Sequence, residues 1–147
     1  KMKEKLSSQT LLCYIPIKRF SYENSVENHL KMKSTIKNLI FIKNTVDQAI
    51  RFFQSTDMNG LGELMNESWM YKRSIPNVSN QIIDEVYNKA MKNGALGGKI
   101  LGAGNGGFML FICKEGHKDL LSKALLPLIT LSIEIENEGS KLIYYNK

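Results

Sequence analysis

The stretch Gly94–Cys113, GALGGKILGAGNGGFMLFIC, places seven glycines among residues that otherwise favour β-strand. Gly97, Gly98, Gly102, Gly104, Gly106 and Gly107 each lose more backbone entropy on folding than alanine would, and a simple strand connection needs only one or two of them. Something therefore approaches this backbone closely. Gly102 to Gly107 satisfies the GxGxxG pattern of dinucleotide-binding folds, but that pattern requires a helix after the loop. Phe108-Met109-Leu110-Phe111-Ile112-Cys113 is instead a continuous apolar run, which reads as a buried strand. A Walker-type loop is excluded as well, because no Gly-Lys-Ser/Thr opens a helix. The stretch predicts a strand, a glycine loop and a strand, whose exposed N–H groups either form a concavity for anions or pack against a neighbouring loop.

Upstream, Ser79 or Asn80 is placed to cap a helix that carries Ile82, Ile83, Val86, Tyr87 and Ala90 inward until Asn93-Gly94 stops it. An earlier helix runs from about Leu61 through Leu64, Met65, Ser68 and Trp69 to Lys72, between the turn Asp57-Met58-Asn59-Gly60 and the interruption Ser74-Ile75-Pro76-Asn77. Val26, Leu30, Ile36, Leu39, Ile40, Ile42, Val46, Ile50 and Phe53 recur at helical spacing and predict one long helix over 25–55, or two with a break. Thr10 to Pro16 reads as a first strand. Downstream, Lys118 to Leu126 is a helix ended by Pro127, followed by short strands over Leu131 to Ile135 and Lys141 to Tyr145 around the turn Asn137-Glu138-Gly139-Ser140. This order defines an α+β fold with antiparallel pairing and helices packed on the sheet.

A chain of 147 residues is one domain's worth, and no internal repeat or linker divides it. Its 43% hydrophobic and 23% charged residues are those of an ordinary globular protein. No apolar run is long enough to cross a bilayer, and Lys1 to Lys5 is not followed by a signal-peptide core, so no membrane partner and a cytoplasmic location are expected. The net charge of +6 is spread along the chain and fits anionic small molecules as well as nucleic acid. Cys13 and Cys113 lie far apart within apolar runs and read as buried, reduced thiols, although neighbouring strands would leave a disulfide open. His29 and His117 stand alone, with no second ligand at metal spacing, so no metal site is expected.

Lys99-Ile100-Leu101-Gly102-Ala103-Gly104-Asn105-Gly106-Gly107-Phe108 resembles the third conserved motif of the galactokinase, homoserine, mevalonate and phosphomevalonate (GHMP) kinase superfamily. Leu64-Met65-Asn66-Glu67-Ser68-Trp69 with Lys72-Arg73, then Val78-Ser79-Asn80, Ile83-Asp84 and Tyr87, looks like the branch that contains D-glycero-D-manno-heptose 7-phosphate kinases. Leu11 to Tyr22 and Glu138 to Tyr144 are similar to the same branch, so nearly the whole chain is covered. The resemblance is to the C-terminal half only, and implies a ferredoxin-like domain with an antiparallel sheet of about four strands. It also implies ATP and Mg2+ as cofactors of a longer enzyme, with a sugar phosphate and an N-terminal kinase half as partners. No PxxxGLGSS-like segment, which in that superfamily wraps the ATP phosphates, occurs in these residues, and the catalytic residues are expected in the other half.

The superfamily places this glycine loop in the active-site cleft, which makes Gly102, Ala103, Gly104, Asn105, Gly106 and Gly107 the principal candidates; a tight structural hairpin is the plainer reading. Leu101 stands where many relatives have Thr or Ser, which removes a hydroxyl from that position. Lys99 either faces the cleft or snorkels to solvent. Lys72 and Arg73 either meet a sugar phosphate or complement a helix C-terminus, and Ser79 either faces the substrate side or caps a helix. A non-catalytic small-ligand or interaction module of the same fold is the alternative. An RNA-binding sheet is disfavoured, because Phe108 and Phe111 sit in a run too uniformly apolar for base stacking, and no nucleic-acid partner is expected.

Overall fold

A computed structural model of the chain describes residues 1–17, 33–102, 104–136, 138–141 and 144. In chain order the elements are α1 (Met2–Gln9), β1 (Thr10–Ile15), α2 (Lys33–Asn44), α3 (Val46–Ser55), α4 (Met58–Arg73), α5 (Gln81–Lys92), β2 (Ala95–Ile100), β3 (Gly107–Cys113), α6 (Lys118–Ala124) and β4 (Thr130–Ser132). The strands form one antiparallel sheet in the order β2-β3-β1-β4. The α+β class and the four-stranded antiparallel sheet expected from the sequence are both present.

Several boundaries differ from the sequence expectation. The apolar spacing over 25–55 resolves, among the described residues, into α2 and α3 with a break at Thr45, and residues 25–32 lie outside the description. Asp57 to Gly60, expected as a turn, is the N-cap and first helical turn of α4, because the Asp57 carboxylate accepts the Gly60 N–H at 2.9 Å. The helix expected to reach Leu126 ends at Ala124. The strand expected over 131–135 is limited to Thr130–Ser132 and pairs with β1. Of the strand expected over 141–145, Leu142, Ile143 and Tyr145 lie outside the described residues, and Lys141 and Tyr144 belong to no strand. Helix α1 carries only Met2 and Leu6 as apolar anchors, too few for its periodicity to stand out.

The main core joins Leu11, Cys13 and Ile15 of β1, Met109, Phe111 and Cys113 of β3, Trp69 of α4, Ile83, Tyr87 and Ala90 of α5, and Leu121 of α6. Tyr87 lies 6.0 Å from the Trp69 ring and 6.2 Å from the Phe111 ring, joining helices to sheet through tilted aromatic contacts. A smaller cluster gathers Met58, Leu61 and Ile112 with Met2, Leu6 and Phe52. The expectation that Phe108 is buried with the rest of β3 is corrected. Its ring is 39% exposed and stands 5.3 Å from that of Tyr14, its cross-strand partner. Ile82, expected to face inward on α5, is exposed, as are Ile36, Leu39 and Ile40 on α2 and Val46, Ile50 and Phe53 on α3. Helix α2 lies against α4 through Phe41, stacked on Tyr71 at 3.7 Å, so only part of its apolar circumference has a neighbour.

Gly97 shows why the glycines of β2 are needed. Its φ is not in the left-handed region, yet a Cβ there would stand 2.1 Å from the Gly62 carbonyl oxygen and 2.7 Å from the Asn66 nitrogen. A Cβ on Gly62 would in turn meet the Leu96 Cβ at 2.5 Å. Helix α4 thus lies on edge strand β2 at backbone contact, and only glycine fits. A Gly97→Ala substitution is expected to cost about 3 kcal/mol through overpacking against main-chain atoms that cannot yield. Gly116→Ala, at φ +76 with nothing within 4 Å, is expected to cost about 1 kcal/mol through backbone conformation alone; urea unfolding of both variants measures the difference.

Both cysteines are free and fully buried, as expected, and burial pushes each thiol from 9.0 up to about 11. Because the unfolded chain loses these protons first, the thiols' contribution is complete below pH 9 and is lost as pH rises towards 11. It is on the order of 2 kcal/mol per thiol. Stability is expected to fall over that window, less steeply in a Cys13→Ala/Cys113→Ala variant, and denaturant titrations across the window provide the check.

Candidate functional site

The glycine loop joins β2 to β3 at the end of the sheet where Ile15 faces Gly107. Left-handed or otherwise positive φ angles occur at Gly102 (73°), Gly104 (108°), Asn105 (59°), Gly106 (132°) and Gly107 (96°), and Ala103 lies outside the described residues. This run of conformations needs glycine, or asparagine at one position, before any ligand is considered. Close approach adds to the demand. A Cβ on Gly104 would meet the Val78 backbone at 2.8 Å, and one on Gly106 would meet Ile17 at 3.0 Å. At Gly102, by contrast, a Cβ would meet none of the described residues within 4 Å, so they leave that side of the loop open.

Asn105 closes the loop onto the start of α5. Its backbone N–H donates to the Val78 carbonyl at 2.9 Å, and its side-chain oxygen accepts from the Asn80 amide at 2.9 Å. The Asn80 side-chain oxygen simultaneously accepts the Ile83 N–H at 3.1 Å, which makes Asn80 the N-cap of α5. One asparagine therefore ends a helix and holds a loop. Sequence reasoning placed Asn80 only as a possible cap; the available signal was Asn105 itself, an asparagine among glycines.

The four weaker candidates divide into two pairs. Ser79 does not cap α5: its hydroxyl donates to Asp84 Oδ1 at 2.7 Å, and Arg73 lies 3.8 Å from the same oxygen. Arg73 and Ser79 are thus tied to a carboxylate that fixes the α4–α5 corner. Lys72 instead reaches the loop, where its ammonium donates to the Gly102 carbonyl at 3.1 Å. Burial first, and then the positive charge of Lys99, hold Lys72 below the usual lysine pKa. Lys99 is half-buried on β2 opposite Leu110.

Next to this polar corner, Lys99, Leu110, Leu12 and Leu131 stand opposite one another across the four strands. Tyr14 and Phe108 form the adjoining row nearer the loop. Beneath the site, Tyr87 donates to Asn66 Oδ1 at 2.6 Å, and burial pushes its phenol up to about 12. Among the described residues, no group of three or more His, Cys, Asp or Glu side chains is placed to hold a metal ion. No described helix is long and apolar enough to cross a membrane.

The family model described as "GHMP kinases C terminal" matches residues 49–127, and the chain belongs to that family. It is 33% identical over 125 residues to the D-glycero-alpha-D-manno-heptose 7-phosphate kinase of Campylobacter jejuni, covering 82% of this chain and 36% of that kinase. It is 26% identical over 118 residues to a galactokinase of Clostridium perfringens, covering 79% of this chain and 30% of that enzyme. Mevalonate kinase of Methanococcus jannaschii superposes with a TM-score of 0.77 at 20% identity, over 92% of this chain and 42% of that one, and so shares the fold. The chain spans about a third of the length of the curated relatives it matches.

The loop latch is testable by a double-mutant cycle. Asn80→Ala, which removes cap and latch together, is expected to cost about 1–2 kcal/mol. Asn105→Gly, which keeps the left-handed conformation and loses only the side-chain bond, is expected to cost about 1 kcal/mol. Urea unfolding of both singles and the double should reveal a coupling of about 1 kcal/mol; additive losses would refute the latch.

Proposed function

We propose that this chain is the substrate-side C-terminal part of an ATP-dependent sugar kinase that phosphorylates D-glycero-D-manno-heptose 7-phosphate at the anomeric hydroxyl. The observation that carries the reading is the likeness to a heptose 7-phosphate kinase over 82% of the chain, joined to a glycine loop held open at Gly102. Phosphoryl transfer depends mostly on positioning and on stabilising charge around the moving phosphoryl group. In this reading ATP with Mg2+ supplies that group. An N-terminal half, which the longer relatives that this chain covers to about a third leave room for, is the partner that grips the nucleotide. The loop Gly102 to Gly107 is the part of this chain that faces the cleft. Its backbone is preset by the Asn105 contacts with Val78 and Asn80, so ordering it costs little when substrates bind.

The test is an acceptor panel with Mg-ATP and the complete polypeptide that carries this chain. Turnover is expected with the heptose 7-phosphate, giving an acid-labile anomeric phosphate. No turnover with any sugar, together with turnover of mevalonate or homoserine, would reject the sugar-kinase branch. The 147-residue chain alone is expected to transfer no phosphoryl group, and ATP-dependent phosphorylation by it would overturn the two-part reading.

A further inference from the structure

We propose that Lys72 and Lys99, beside the open flank of Gly102, form a binding site for the phosphate monoester of a phosphorylated sugar. The proposal rests on the sugar-kinase reading for the identity of its ligand, while the site itself rests on geometry. Lys72 is anchored at the loop by its 3.1 Å bond to the Gly102 carbonyl. An ammonium has three donors, so that bond leaves two for another acceptor. Lys99 stands on β2, the strand that leads into Gly102, and its positive charge, after burial, lowers the Lys72 pKa. Among the described residues, neither lysine pairs with a carboxylate. Two half-buried like charges near one loop disfavour each other, and a dianion bound beside them reverses the sign of the interaction. Among the described residues, a Cβ at Gly102 would meet nothing within 4 Å, which leaves that flank of the loop uncovered by them.

Arg73, the next residue along, makes the contrast. Its guanidinium lies 3.8 Å from Asp84, whose same oxygen already accepts the Ser79 hydroxyl. The adjacent cations at the end of α4 therefore have different roles: Arg73 is compensated by Asp84, whereas among the described residues Lys72 and Lys99 meet no carboxylate. Helix-dipole complementation alone would account for Lys72 and Arg73 equally. It does not account for Lys99, which sits on a strand.

A phosphate monoester could come from the sugar or from the nucleotide, and a titration separates them without requiring turnover. The 147-residue chain, labelled with 15N, is titrated with glucose 6-phosphate, glucose, ADP, and potassium chloride at matched ionic strength. Saturable shifts at the Gly102 and Lys99 amides are expected with glucose 6-phosphate and absent with glucose or chloride. Lys72→Met and Lys99→Met are each expected to weaken this binding by about tenfold, the scale of one charge-assisted hydrogen bond. Lys72→Arg and Lys99→Arg, which keep the charge, should retain most of it, and Arg73→Gln controls for net charge.

Equal shifts with chloride, no saturable binding of glucose 6-phosphate, or unchanged affinity in both Met variants would overturn the site. ADP saturating the same amides about tenfold more tightly than glucose 6-phosphate would overturn its assignment to the sugar phosphate. Failure here alongside heptose 7-phosphate turnover in the acceptor panel would remove this site and leave the kinase reading in place.

Discussion

Where α4 crosses β2, the main chains of Gly62 and Gly97 come so close that a single methyl group at Gly97 would fall 2.1 Å from a carbonyl oxygen. Helix-on-sheet packing ordinarily interposes side chains. Their removal here lowers α4 onto the edge strand and fixes its axial position. That seating brings Asn66 beneath Tyr87, Trp69 into the core, and Lys72 to the Gly102 carbonyl. The end of α4 that reaches the glycine loop is thus set by a contact well before it in the chain.

The glycine loop is held from the opposite side by α5. Asn105 and Gly104 lie against Val78, and Asn80 ties the loop to a helix N-terminus. Gly104 lies against the Val78 backbone and Gly106 against Ile17, whereas a Cβ at Gly102 would meet none of the described residues within 4 Å. Close approach by neighbouring residues thus accounts for most of the loop's glycines. Charge is divided in the same manner, with Arg73 held by Asp84 while Lys72 reaches the Gly102 carbonyl and pairs with no carboxylate among the described residues.

Membership of the GHMP kinase family accounts for this economy. The chain spans about a third of its curated relatives' length, and the loop lies at one end of the sheet beside exposed Tyr14 and Phe108. Substrate choice in a two-part kinase depends on groups from both parts. The residues here therefore define a surface and a loop, while the chemistry of transfer belongs to the proposed complete enzyme.

Much of this was legible in the chain itself. Periodicity located the helices that carry Trp69 and Tyr87, and the apolar run after Gly107 located β3, because local backbone preference and side-chain spacing are written residue by residue. The density of glycines announced close approach, since no other residue lacks a Cβ. What that backbone approaches was not legible: Gly97 meets α4, Gly104 meets Val78, and Gly106 meets Ile17, residues far away in sequence. Nor could spacing reveal that Phe108 turns outward while Phe111 is buried, or that Asp84 takes Arg73 and leaves Lys72 to the loop. The amino-acid sequence determined most of the elements and the family. Tertiary structure alone decided which cations are compensated and which glycine faces open space, because both depend on the distance between segments that only folding brings together.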